Sequence, residues 1–383
     1  MAKEIKEASP QTEVEIYSEE PCHYYPRPKL IELISGEIET TKVFFYPADW
    51  YEKNGIKVCL NSKVEKVSPA KKTIQVEKRG KVSFDNLVIA AGAHPVFPPI
   101  EGVGLAGVFY LHTLEDAFKI NTWLKDTNEV IVIGGGVLGV EVAFALKKRN
   151  RTVTIVEMSE HPMSKQLDRE AGLILKNSLE KTGIKILTSA HTHKILGIDR
   201  VEGVLLSNDI ALKAELVIVC AGVRSNIEFL RDSGINLCQA ITVNSYLATN
   251  YPDLFACGDI AEFKGKIYPF IPAAIEQAEI VAGNIVHDDK KEYIATIPFR
   301  ALKAQDVELA CIGELCLGEK GIEELKVTSQ KGRYKKVVFR NNQAAGAIVL
   351  GDKKEFNAFL KFVSEKMSLD AVKATIKTEV HNG

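Results

Sequence analysis

The feature that most constrains this chain is Gly134-Gly135-Gly136-Val137-Leu138-Gly139, set between an apolar run at 130–133 and an amphipathic helical pattern, Val137–Lys148. In a strand–turn–helix unit of this kind the first glycine makes the tight turn and the second lets backbone N–H groups approach a pyrophosphate. The third lets helix pack on strand, and the phosphate faces the positive helix end. A second strand pattern, Thr152–Val156, ends at Glu157, 18 residues after Gly139, where a carboxylate can accept from both ribose hydroxyls. The same glycines also fit a plain turn packing helix on strand; the complete setting argues for a dinucleotide. Met158, Ser159 and Glu160 follow with no cation for a 2′-phosphate, which favours NADH over NADPH.

The same order of elements occurs earlier in the chain. A helical run at 2–9, with no capping residue before it, stops at Pro10 and is followed by a strand, Val14–Tyr17. After a Pro/Tyr-rich loop at 21–28 come a short helix at 30–34, an antiparallel meander over 56–76 and 81–84, and a buried strand at 87–90 that ends in Ala91-Gly92. The second copy runs through 130–133, Val137–Lys148, Thr152–Val156, 168–182, 184–187, two hairpin-like runs and Leu216–Val219, again followed by Ala-Gly. This is an internal duplication whose first copy lacks the opening strand and its turn. A boundary falls near residue 112, and residues 239–296 add the strand Leu254–Ala256, Gly258-Asp259 and a helix at 273–285. Strand-like runs at 307–312, 334–339 and 345–349 and a helix at 355–365 form a last, α+β domain.

Composition narrows the class. The 383 residues suffice for two or three domains, and 46% hydrophobic with 26% charged residues excludes a disordered chain. A formal charge of −1 argues against holding nucleic acid by bulk charge. The longest uncharged apolar stretch, 130–140, is too short and too glycine-rich to span a bilayer, and no export signal opens the chain, so a cytoplasmic protein with no membrane contact is expected. Seven cysteines without a paired framework are read as reduced thiols. By chemistry alone, Asp259 reads as a helix N-cap or as an acceptor for a polyol hydroxyl beyond a strand end.

Gly134-Gly135-Gly136-Val137-Leu138-Gly139-Val140-Glu141, Glu157, Gln166-Leu167-Asp168, the strand ends at Gly92 and Gly222, and Ala256-Cys257-Gly258-Asp259 together resemble the pyridine-nucleotide-disulfide oxidoreductase-like FAD flavoproteins. Tyr24-Tyr25-Pro26-Arg27-Pro28-Lys29-Leu30, Asp49-Trp50-Tyr51-Glu52 and the short last domain are most similar to NADH:rubredoxin reductases. The resemblance covers nearly the whole chain. It implies an α/β fold with two Rossmann-like dinucleotide-binding domains and a small α+β C-terminal domain. The FAD domain is discontinuous, over 1–112 and 238–296, the NAD domain spans 113–237, and an interface domain spans 297–383.

The resemblance also implies the site. Arg27 and Glu141 flank hydride transfer as catalytic residues. Ser18, Glu19, Arg27, Pro28, Val64, Ala91, Gly92, Gly258, Asp259 and Gln277 fall to FAD, with Asp259 on the ribityl chain. Gly134, Gly136, Val137, Leu138, Gly139, Glu157 and Gly222 fall to NADH. Hydride then passes from NADH to flavin, and single electrons leave to a small iron protein such as rubredoxin, in a monomer or homodimer. An NADH oxidase, a nitrite-reductase-like module, or a non-catalytic NAD-binding remnant without FAD are the alternatives.

Two departures from the family pattern bear on this. No glycine precedes Gly36, so the strand and glycine loop that cradle the FAD pyrophosphate are not in this sequence, and a start placed too late or a truncation is the expected reason. The position that often carries Glu for the FAD ribose holds Ser18, with Glu19 beside it. Residues 29–40 contain no cysteine, which separates the chain from the disulfide reductases and has electrons leave through the flavin itself. Cys22 reads as an ordinary loop thiol, and Cys311 and Cys316, five apart on a strand, fall on opposite faces. His191 and His193 read as a surface pair without a third ligand. Lys331, Arg333, Lys335, Lys336 and Arg340 read either as a docking patch for an acidic redox protein or as a charged edge strand.

Overall fold

The computed structural model describes residues 1–304, 307–315, 321–328 and 333–381, which divide into two compact units. One comprises Met1–Pro26, Thr40–His94 and Val223–Thr296; the other comprises Arg27–Glu39, Pro95–Gly222 and Ile297–Gly383. No helix among the described residues is long and apolar enough to cross a membrane.

In the first unit, Val14–Tyr17 pairs in parallel with Ile56–Cys59, Val14 opposite Ile56 and Tyr17 opposite Cys59. Residues 56–59 therefore leave the expected meander, which is built from Val64–Ser68, Thr73–Val76 and Gly80–Ser83 alone. Alternation of side chains is common to both kinds of strand, so periodicity could not separate them. A second parallel pair joins Leu87–Ile89 to Leu254–Ala256, bringing Ala91-Gly92 and Gly258-Asp259 to the same end of one pair of strands. Helix Ile271–Val286, entered at Pro272, packs on helix Ala2–Ala8. Val76, Ile241, Leu254 and Phe263 centre the core of this unit.

In the second unit the parallel strands are continuous. Their order is Lys185–Leu187, Thr152–Val156, Glu129–Ile133, Leu216–Val219, Val108–Phe109. The chain moves outward from Glu129–Ile133 in one direction and returns on its other side, which makes a topological switch point at the C-terminal ends of the two central strands. The duplicated element order can now be compared strand for strand. In this unit Leu216–Val219 has a neighbour on each edge and is fully buried, whereas in the first unit Leu87 and Val88 are only half buried. No strand among the described residues joins the two pairs of the first unit into one sheet.

Helix Val137–Lys148 packs on the central strands and on helix Lys29–Ser35. Helix Leu114–Trp123 begins in a capping box, the Thr113 side chain taking the Asp116 N–H and Asp116 the Thr113 N–H. The C-terminal segment is a five-stranded antiparallel sheet ordered Phe299–Ala304, Val307–Gly313, Gln343–Leu350, Tyr334–Arg340, Glu323–Thr328. Helix Phe356–Ser364 covers it through Phe359 and Phe362, with helix Leu369–His381 after it. Both strands that the sequence pattern did not reveal, Phe299–Ala304 and Glu323–Thr328, are edges of this sheet. Edge strands are commonly protected by charge, which erases apolar alternation.

Candidate functional site

The glycine turn of the second unit is held by contacts that only glycine permits. Gly134 has φ +104°, and a Cβ there would stand 2.4 Å from the Cys220 carbonyl oxygen. A Cβ on Gly139 would stand 1.9 Å from the Gly134 carbonyl oxygen, so the first turn of the helix sits directly against the strand end. Gly136 and Gly222 differ: a Cβ at either would meet nothing within 4 Å. Gly136, the N-cap of the helix, leaves open space at the helix N-terminus of a kind that suits a pyrophosphate. Val137 opens the helix and Leu138 is 36% exposed beside it.

Glu157 is buried at the end of its strand, and its carboxylate accepts the Gly135 N–H through Oε2 and the Ser159 N–H through Oε1, each at 2.6 Å. The loop after it folds back, the Met163 N–H reaching the Gly135 carbonyl at 2.8 Å with Met163 at φ +54°. Nothing in the sequence pattern of 158–167 marked this closure. Glu141 lies on the same helix as the glycine turn. Burial pushes its carboxyl up to about 7, and among the described residues nothing hydrogen-bonds or ion-pairs it. Arg27 is exposed and donates through Nη1 to the His112 carbonyl at 2.8 Å, and Pro28 is the N-cap of helix Lys29–Ser35.

Two of the expected flavin residues of the first unit, Gly258 and Gln277, are bonded to each other. Gly258 has φ +77° and donates its N–H to Gln277 Oε1 at 2.7 Å; Gln277 is fully buried, and its Nε2 has no partner among the described residues. A buried amide donor left without an acceptor is costly unless a bound group supplies one. Gly92, at φ +65°, presents open space as Gly136 does. Asp259 lies inside the 3-10 turn Gly258–Ile260, whose N-cap is Cys257, so it caps no α-helix. Two residues that sequence reasoning passed over hold this loop cluster. Asn226 bonds the carbonyls of Ala91 at 2.7 Å and Gly92 at 3.0 Å, and Ser225 Oγ donates to the Asp259 carbonyl at 2.6 Å. Their one signal was a polar pair shortly after the strand end at Gly222. Ser18 receives the Glu20 N–H on Oγ, Glu19 makes an exposed ion pair with Lys63 at 3.4 Å, and Val64 opens its strand half-buried opposite Val76.

FAD and NADH each find suitable donors here. The orphan Gln277 amide and the open glycine at 92 suit a ligand rich in oxygen acceptors, and the Gly136 turn suits a pyrophosphate. His191 and His193 are both exposed, and no cluster of three metal-ligating side chains occurs among the described residues. Cys311 is buried, its thiol pushed up to about 12 by burial, while Cys316 lies outside the described residues. Lys331 also lies outside them. The rest of the basic stretch is neither an edge strand nor a free patch: Tyr334–Arg340 is an interior strand, Lys336 is 3% exposed, Lys335 pairs with Glu355, and Arg340 pairs with Glu314.

Comparison with known proteins identifies the family. A model of the pyridine nucleotide-disulphide oxidoreductases matches residues 1–278, and one of the rubredoxin NAD+ reductase C-terminal domain matches 298–367. Nitrite reductase [NAD(P)H] of Bacillus subtilis is 31% identical over 94% of this chain, which spans only 45% of that protein's length. NADH-rubredoxin oxidoreductase of Clostridium acetobutylicum is 30% identical over 93% of this chain and 89% of its own. A crystal structure of NADH:rubredoxin oxidoreductase from the same organism superposes with a TM-score of 0.81 at 27% identity, covering 97% of this chain and 96% of that one.

Proposed function

The chain belongs to the pyridine nucleotide-disulphide oxidoreductase family, and from that premise we propose that it is an NADH-dependent, FAD-using oxidoreductase whose electrons go singly to a small iron protein of the rubredoxin type. When bound, NADH supplies a hydride and FAD converts the electron pair into single electrons. The chain's own residues bind and orient. Gly134, Gly136 and Gly139 admit the pyrophosphate to the helix end, with Val137, Leu138 and Gly222 around it, and Glu157 takes the ribose. Gly92, Gly258, Asp259 and Gln277 hold the flavin nucleotide, with Ser18, Glu19, Val64 and Ala91 around it. Arg27 and Glu141 serve the reacting rings, and Glu141, poised near neutrality, can hold or release a proton at its carboxyl oxygen.

The observation that supports an iron-protein acceptor is the match of residues 298–367 to the rubredoxin NAD+ reductase C-terminal domain. The absence of cysteine from 29–40 supports release of electrons from the flavin rather than through a disulfide. Similarity to nitrite reductase over 94% of this chain supports a second reading, a flavin module that feeds another redox centre. The test is anaerobic rapid mixing of the FAD-loaded protein with NADH, then with rubredoxin, a ferredoxin, or oxygen. Fast reoxidation by rubredoxin supports the first reading. Reoxidation by oxygen alone contradicts it.

A further inference from the structure

We propose that the C-terminal sheet sets the affinity of the NADH site through Tyr334 and Lys336, two positioning residues that hold Asp168 and, through it, the loop that closes on Gly135. The inference rests on the reading that the 134–157 segment binds NADH.

Tyr334 and Lys336 stand two apart on one strand and share a face. Both are buried, at 0% and 3% exposure, and both reach one oxygen of Asp168: the Tyr334 hydroxyl donates to Oδ2 at 2.5 Å and Lys336 Nζ at 3.0 Å. Lys336 also pairs with Glu324 on the next strand. The other Asp168 oxygen, Oδ1, accepts the Ala171 N–H at 2.9 Å and caps helix Arg169–Lys181. Burial alone would lift the Asp168 carboxyl, but the bonds from Tyr334, Ala171 and Lys336 bring it below the usual carboxylate range.

From Asp168 the chain runs back only five residues to Met163. The N–H groups of Gln166 and Leu167 bond the Met163 carbonyl at 2.8 and 2.9 Å, and the Met163 N–H bonds the Gly135 carbonyl. Gly135 in turn donates to Glu157. An unbroken path of hydrogen bonds and short backbone therefore links two C-terminal side chains to Gly135 in the glycine turn and to Glu157. Met163 and Leu167 anchor the loop by burial, and a groove of about 680 Å³ lined by His161, Leu167, Asp168, Leu173, Glu324 and Lys336 runs beside Asp168. A buried ammonium is a poor way to add stability, since an apolar side chain of equal volume often does as well. Its use here is to define where Asp168 stands.

The test is calorimetric titration of FAD-loaded protein with ADP-ribose, alongside steady-state kinetics with NADH. Tyr334→Phe, which keeps the buried ring, and Asp168→Asn, which still caps the helix, should each raise the ADP-ribose Kd and the NADH KM by about five- to tenfold, the effect of one or two lost hydrogen bonds. The kcat at saturating NADH should stay within about twofold, and the double variant should be no worse than the single ones. Lys335→Met is the control: it breaks the Lys335–Glu355 pair in the same sheet without touching Asp168, and should lower the melting temperature with no change in Kd. An unchanged Kd in Tyr334→Phe and Asp168→Asn overturns the coupling and leaves a staple between sheet and helix. If the unaltered protein binds no ADP-ribose, the reading of the nucleotide site fails first and the coupling with it.

Discussion

Glu157 and Gly135, 22 residues apart in sequence, share a 2.6 Å hydrogen bond that joins the carboxylate at one strand end to the glycine turn at the next. The turn and Glu157 are thus one unit. Glu157→Ala should weaken NADH at least about tenfold, since it removes a charged acceptor from two backbone N–H groups as well as from the ribose, and should leave the FAD content unchanged. Titration with NADH on the FAD-loaded protein checks this; an unaltered affinity means that the ribose is held elsewhere.

The four glycines of the turn do not do the same work. Gly139→Ala forces a Cβ to 1.9 Å from a backbone oxygen and should cost about 2 kcal/mol or more in stability by denaturant melts. Gly136→Ala should melt normally, because its φ of −71° suits alanine and the new methyl meets only open space. Its methyl points where the pyrophosphate belongs, so ADP-ribose affinity should fall by about a hundredfold. Normal ADP-ribose affinity in Gly136→Ala would place the phosphates elsewhere.

Glu141 should show itself through pH. Its carboxyl is raised from 4.5 to about 7 by burial, so the fold prefers the protonated form. The sign follows: the group costs nothing below its unfolded value, and stability is lost as pH rises towards 7 and above. Glu141→Gln should therefore melt with the parent near pH 4.5 and above it at pH 8. The same variant should slow flavin reduction by NADH more than it weakens NADH binding. A melting difference that ignores pH, or an unchanged reduction rate, would remove Glu141 from its assigned role.

Gln277 carries an amide N–H donor that has no acceptor among the described residues, while its oxygen accepts the Gly258 N–H. Gln277→Leu should lower the ratio of FAD to protein after purification, because it removes both a donor to the ligand and the support of the Gly258 loop. Full FAD occupancy in this variant would show that the orphan amide serves no flavin.

The glycine turn was legible because its spacing shows in sequence, and Gly134 and Gly139 answer local steric demands that keep it. Asp168 was legible only as part of a family motif. Its partners Tyr334 and Lys336 stand more than 160 residues away, and a buried lysine in a run of basic residues has the same one-dimensional signature as a solvated one. Residues 56–59 looked like meander because period-two alternation does not encode strand direction. Ser225 and Asn226 escaped notice because their bonds go to backbone carbonyls, which carry no side-chain signature.

The account rests on this chain holding a flavin and a reduced nicotinamide nucleotide together. The direct measurement is anaerobic titration of the FAD-reconstituted protein with NADH, following the flavin band near 450 nm. The account predicts stoichiometric bleaching in the parent protein and a much higher NADH requirement in Gly136→Ala. A protein that takes up no FAD, or whose flavin keeps its colour in excess NADH, would contradict it.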